Sequence, residues 1–342
     1  MKISKLLVAS VVASSFLLGN VTISVADSAK KAGLVAIPEN QAELSKLIDP
    51  KGTISPEKVE LGKKLYFEPR LSKSGIISCN TCHNLGLGGV DGVAAAVGHQ
   101  WTANPHHLNS PTVYNAVFFA AQFWDGRSPD LEDQAQGPMQ AAPEMAAPPS
   151  LVEERINSIP AYVEEFKKAY GKDVKVDFKT ITSTIGIFER TLVTPSRFDD
   201  FLNGKKDALS DVEKKGLKTF IDKGCVTCHT GIALGGSMQP FQITAKYKFA
   251  DLGDFKGDKN GMVKAPTLRN ITETAPYFHN GAIWNLADAV KEMGSIQLGI
   301  KISDEEAQSI VTFFGTLEGR KPEITYPQFP KSTATTPKPD FN

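Results

Sequence analysis

All four cysteines of the chain fall in two copies of one pattern, Cys79-Asn80-Thr81-Cys82-His83 and Cys225-Val226-Thr227-Cys228-His229. Cysteines three apart share one side of a helical turn. There both can form thioethers with the vinyl groups of a single haem, while the histidine that follows comes under the ring and ligates its iron. Two small disulfide loops or a four-cysteine zinc site would use the same cysteines. Neither explains a histidine after each pair, and the zinc site would have to close across 146 residues. The motifs therefore predict two covalently bound haem c groups with His83 and His229 as proximal ligands. Such a chain must wrap its helices and loops round two large apolar discs, which replace much of an ordinary hydrophobic core.

Residues 1–26 read as a secretory leader. MKISK supplies two lysines, LLVASVVASSFLLG an apolar run, and Ser24-Val25-Ala26 a small-residue cleavage site. The run is shorter than the roughly 20 apolar residues of a membrane helix, and no later segment approaches that length. An exported protein with no membrane span in the mature chain is expected. With 38 basic and 38 acidic residues, the chain lacks the charge excess that nucleic acid demands of a partner.

The chain also repeats itself. PTVYNAVFFAAQFWDGRSPDLED (111–133) aligns without gaps on PTLRNITETAPYFHNGAIWNLAD (266–288), always 155 positions later, with eight of 23 positions identical. A Gly-Gly pair follows each haem motif, Gly88-Gly89 and Gly235-Gly236. One haem domain, duplicated and diverged, accounts for this most simply. Apolar residues at three-four spacing predict helices over 151–170, with Pro160 starting a new one, and over 178–190. Others are expected over 209–223, where Ser210 and Glu213 make a capping box, and over 304–317 after Ser303. Few period-two runs occur, so the class is mostly α. The loops 86–110 and 235–265 are long enough to be functional, and the Pro-rich tail from Pro322 is expected to be extended. The division expected is a leader (1–26), an N-terminal haem domain (27–177), a C-terminal haem domain (178–319) and the tail (320–342).

Function is expected where the two copies differ. Between haem motif and PT, the first copy carries His99, His106 and His107, and the second carries Met238 and Met262. Trp124 of the first copy aligns with His279 of the second. A haem iron with histidine and methionine ligands has a raised potential and suits electron transfer. Met293, in the helical run NLADAVKEMG, is the methionine chosen for the second haem, with Met262 and Met238 left open. For the first haem, His99, His106, His107 and Met139 compete. On these residues alone the chain could be a non-enzymatic di-haem electron carrier.

Taken together, SCNTCHNLGLGG, GHQW, NSPTVYNAVF, AAQFWDGR, the 134–144 stretch, GCVTCH, KAPTLRN, TAPYFHNGAIW and DAVKEMG resemble the bacterial di-haem cytochrome c peroxidases over nearly the whole mature chain. The resemblance implies two cytochrome c-like domains and a periplasmic enzyme, expected as a homodimer. Such an enzyme reduces hydrogen peroxide with electrons from a small cytochrome c or a cupredoxin. It implies that His229 and Met293 ligate the electron-accepting haem. His83 would hold the peroxidatic haem, of which His99 would be the removable distal ligand. Trp124 would stand on the electron route, Gln134 and Glu144 would border the peroxide pocket, and His279 would lie near a haem propionate. A calcium between the domains would take the Asn109 side chain and the carbonyls of Thr274 and Pro276, in keeping with that ion's preference for oxygen ligands. Relatives that modify tryptophan in other proteins carry a tyrosine where Met293 stands, which argues against that activity here.

Overall fold

The computed structural model describes residues 24–342. Most of the expected leader lies outside them, and the expected cleavage point after Ala26 falls in the first turn of helix α1 (Val25–Lys31), which Ser24 caps. The order continues with α2 (Gln41–Ile48), α3 (Pro56–Phe67), α4 (Cys79–Cys82), α5 (Leu131–Gln134), α6 (Gln136–Gln140), α7 (Pro149–Asn157), α8 (Pro160–Tyr170) and α9 (Phe178–Glu189). The second half holds α10 (Arg197–Leu202), α11 (Asp211–Asp222), α12 (Leu286–Met293) and α13 (Asp304–Phe314). Between α11 and α12 two three-residue strands, β1 (Met238–Pro240) and β2 (Met262–Lys264), pair antiparallel. The chain is mostly helical, as its periodicity predicted. Ser210/Glu213 and Ser303/Glu306 both form complete capping boxes, and Pro160 opens α8 in the first turn, where its missing N–H costs nothing.

Each half is built on one crossed helix pair. In the first, α3 runs towards the Cys79 motif and packs on α9; in the second, α11 runs towards the Cys225 motif and packs on α13. Both crossings are closer than a side chain would permit. A Cβ on Gly62 would stand 2.2 Å from the Thr184 carbonyl oxygen, and one on Gly216 would stand 2.1 Å from that of Ser309. Around the first pair Leu61, Leu65, Tyr66, Ile181, Ile185 and Phe188 form one core; around the second, Leu217, Phe220, Ile310, Phe313 and Phe314 form another.

These cores draw on segments from both sides of residue 177. Helix α9 lies wholly beyond residue 177, yet Phe178, Ile181, Ile185 and Phe188 belong to the first core, because α9 is the partner that buries α3. The chain ends are exchanged as well. Ala29 of α1 and Leu34 pack in the second core, while Ile324 and Phe329 of the tail pack against the first. The tail is extended, as expected, and lies along the body. Buried Arg155 of α7 holds it, donating to the carbonyls of Pro337 (3.2 Å) and Lys338 (2.9 Å) and to those of Arg70 (2.8 Å), Ser72 and Lys73 (3.0 Å).

The sequence repeat is matched in backbone geometry. Asn115 and Asn270 are left-handed, with φ of 61° and 59°, as are Phe123 and Phe278 at 65° and 69°. The bridge between Gln122 and Ser128 has its counterpart between Tyr277 and Ile283. The two asparagines converge on one hydroxyl: Asn115 Nδ2 and Asn270 Nδ2 donate to Thr194 Oγ1 at 2.8 and 2.9 Å, all three residues fully buried. Thr194→Val should leave both amides without that acceptor, at about 1–3 kcal/mol for each. Thermal or denaturant unfolding checks this; a loss below about 1 kcal/mol would show that the halves do not depend on this junction.

Candidate functional site

Two cavities lie one on each side of a shared wall. Cys82 and His83 line the N-terminal one, Cys225, Cys228 and His229 the C-terminal one, and Asn109, Phe119, Trp124 and Lys264 face both. Cys82 and the Cys225/Cys228 pair therefore open on different cavities, which rules out one four-cysteine site. All four are free thiols, and burial pushes each thiol upward, Cys82 to about 12 and Cys225 to about 11. Among the described residues no group of three or more His, Cys, Asp or Glu is placed to hold a metal ion by itself.

The local fold explains how each histidine is presented. Helix α4 is a single turn in which the side chains of Ser78 and Thr81 cap reciprocally, and His83 is its C-cap. In the second motif, left-handed Gly224 (φ 82°) leads into a tight turn over Cys225–Thr227. His83 Nδ1 lies 2.9 Å from the Pro111 carbonyl oxygen, and His229 Nδ1 lies 3.2 Å from that of Leu234. A carbonyl can only accept, so each Nδ1 carries the proton and each Nε2 keeps its lone pair, the tautomer a metal ligand needs. Burial lowers both imidazoles' affinity for a second proton. Met293 lines the C-terminal cavity with His229, whereas Met238 and Met262 do not. Met238 packs instead on the Trp124 turn, where a Cβ on Gly126 would stand 2.5 Å from its sulfur. Paired thiols, a histidine in the ligand tautomer and apolar walls fit a covalent haem c in each cavity.

His83, Gln134 and Glu144 all line the N-terminal cavity. Burial raises the Glu144 carboxyl above the usual glutamate range, with Arg127 and His106 pulling the other way. His99, His106, His107 and Met139 are absent from this cavity's lining. His99 is buried, its Nδ1 has no hydrogen-bond partner, and its backbone N–H donates to the Glu144 carbonyl at 2.7 Å. Next to it Gly98 is pressed on the same loop, a Cβ there falling 2.0 Å from the Pro143 carbonyl oxygen. The backbone at His99 is thus bonded directly to the backbone at Glu144. His106 is on the surface and reaches Asp254 at 2.8 Å, joining the two long loops.

The shared wall is held by reciprocal bonds. Asn109 N–H donates to the His279 carbonyl (2.8 Å), and Lys264 N–H donates to the Trp124 carbonyl (2.7 Å). Trp124 Nε1 donates back to the Asn109 carbonyl at 2.9 Å, and its ring meets the His279 imidazole edge-on at 6.4 Å. Burial, with Lys256 nearby, lowers His279 to about 4, so it is neutral. Asn109 Nδ2 donates to the Val93 carbonyl at 2.8 Å, turning its oxygen free. Thr274 and Pro276 line the C-terminal cavity with it.

Two charged residues of the site were not foreseen. Lys264 could have been noticed as the repeat counterpart of Asn109. Glu189 ends helix α9, lines the N-terminal cavity and leaves Oε2 without a partner. Burial first, and then Glu132, lift its carboxyl to about 8. A carboxyl whose folded value is raised favours folding when protonated, so its contribution is full below the unfolded value and is lost as pH rises through about 8. Glu189→Gln should match the wild type in thermal midpoint near about pH 5 and exceed it near about pH 9. Parallel curves would remove Glu189 as the titrating group.

Comparison with known proteins places this geometry. The sequence model for di-haem cytochrome c peroxidase matches residues 56–207, and that for cytochrome c matches residues 213–318. The chain is 49% identical over 298 residues to a cytochrome c551 peroxidase of Pseudomonas aeruginosa, covering 84% of this chain and 86% of the relative. It is 44% identical over 303 residues to a cytochrome c551 peroxidase of Nitrosomonas europaea, covering 85% and 90%. Its fold is similar to the crystal structure of a MauG-like protein associated with microbial copper homeostasis. There the TM-score is 0.68 at 24% identity, over 78% of this chain and 90% of that one.

Proposed function

The chain belongs to the di-haem cytochrome c peroxidases, a family of oxidoreductases, and we propose that it reduces hydrogen peroxide to water with electrons from a small cytochrome c or cupredoxin. Two haem c groups, attached through Cys79/Cys82 and Cys225/Cys228, supply the redox chemistry when bound. His229 and Met293 would be the ligands in the C-terminal cavity, a pair that favours a high potential and a closed coordination sphere. His83 would be the proximal ligand in the N-terminal cavity, and Trp124, in the wall between, would carry electrons across.

The observation that carries the peroxidase reading is that Glu144 and Gln134 line the cavity of His83. Peroxide held there gives up a proton from one oxygen to the Glu144 carboxylate. Glu144 returns that proton to the other oxygen, which leaves as water as the O–O bond breaks; two electrons from the donor and two protons from solvent carry the remaining oxygen to a second water, and Gln134 offers the peroxide a hydrogen bond. The raised carboxyl of Glu144 sets the acid limb of the activity profile above the ordinary glutamate range, since the accepting form is the carboxylate. His99 is read as the distal ligand of the resting state. Its position outside the cavity lining, with Nδ1 unpaired, supports a ligand that can leave.

Calcium fits the seam. Asn109 Oδ1 and the carbonyls of Thr274 and Pro276 accept no hydrogen bond among the described residues, and three such neutral oxygens suit that ion. His279 would lie near a haem propionate. The matched geometry of the two repeats supports an internal duplication. A leader over residues 1–26, a periplasmic location and a homodimer complete the reading.

Peroxide consumption by fully oxidised and half-reduced protein, with and without calcium, tests it. Glu144→Ala should lower turnover roughly 10²–10⁴-fold; near-full turnover would remove Glu144 from the mechanism. His99→Gly should be active in the oxidised form without prior reduction. If it still requires reduction, His99 is not the gate.

A further inference from the structure

Lys264 stands 155 residues after Asn109, the repeat offset, and the relation holds in space. The bond from Asn109 to the His279 carbonyl and the bond from Lys264 to the Trp124 carbonyl exchange when every residue is replaced by its counterpart, as a two-fold relation requires. Under the same exchange Asn109, Thr274 and Pro276 become Lys264, Phe119 and Ala121. The Lys264 ammonium lies 4.6 Å from the centroid of the Phe119 ring. Where one side of the seam offers three oxygens to a cation, the other side carries a cation of its own.

That cation has no protein counter-ion. Lys264 is 3% exposed, and no carboxylate of the described residues lies within ion-pair distance of it. The acid whose charge reaches it, Asp125, is held by Arg127 at 2.9 Å. Burial without a partner takes the amine down to about 7. A buried ammonium is tolerated when an anion faces it, and Lys264 faces both cavities. The anions a haem brings are its two propionate carboxylates.

We propose that the Lys264 ammonium pairs with a propionate of the haem held by Cys79, Cys82 and His83, positioning that haem at the seam and raising its potential. The choice of haem follows from where the ammonium's charge falls. Lys264 and Phe119 border both cavities, but the charge of Lys264 reaches His83 of the N-terminal cavity and not His229 of the other. The assignment rests on the two-haem reading above but needs neither the peroxidase activity nor calcium.

Lys264→Met, Lys264→Gln and Lys264→Arg, as haem-loaded full-length proteins, are compared with the wild type by haem content and by spectroelectrochemical titration of both haems. A wild type with fewer than two haems per chain would overturn the two-haem reading itself. With two haems, the neutral variants should make the N-terminal haem at least tenfold harder to reduce, about 59 mV for one electron, and Lys264→Arg should stay close to the wild type. Unchanged potentials in whichever neutral variant takes up both haems would overturn the pairing. A shift confined to the C-terminal haem, or an equal shift in Lys264→Arg, would do the same.

Discussion

Two backbone hydrogen bonds running in opposite directions across the seam, Asn109 to His279 and Lys264 to Trp124, hold the arrangement on which the rest depends. Both join main-chain atoms, so they fix the positions of four residues whatever side chains those residues carry. The side chains are then free to diverge. On one side of the relation stand an amide and a tryptophan, on the other an amine and a histidine. The same scaffold thereby makes a wall with different chemistry towards each cavity, and the two haem sites can differ in role without differing in frame.

Much of this was legible in the chain. The cysteine pairs and the histidines after them located both cavities, because covalent attachment needs fixed spacing in sequence as well as in space. The capping boxes at Ser210 and Ser303 and the break at Pro160 were local signals and gave local structure. Met293 could be preferred on its helical setting, but only packing removed Met238, whose sulfur lies on the turn at Gly126. The packing of α9 and of the chain ends was not legible, because sequence adjacency says nothing of which half buries a segment. Helix α1 is short and amphipathic, and the core it joins lies in the other half of the chain. Glu189 was invisible for the opposite reason: a glutamate at a helix end is ordinarily solvated, and only three-dimensional burial makes it unusual.

The link between His99 and Glu144 binds two parts of the chemistry that the sequence presents separately. His99 and Glu144, 45 residues apart, share a 2.7 Å backbone bond that ties their two loops together without any side-chain contact. The glycine at position 98 permits the close approach that makes the coupling possible, and any larger residue would separate the two loops.

The exchanged chain ends bear on how the molecule is made. The strap that Arg155 clamps across Arg70, Ser72 and Lys73 follows every helix of the second half in the chain, so the first half gains this cover only after the second half has been made. The segment beneath the strap leads directly into the Cys79 motif. The surroundings of that motif are therefore completed by residues that follow the second half in the chain, and the two halves are tied together by topology as well as by the seam.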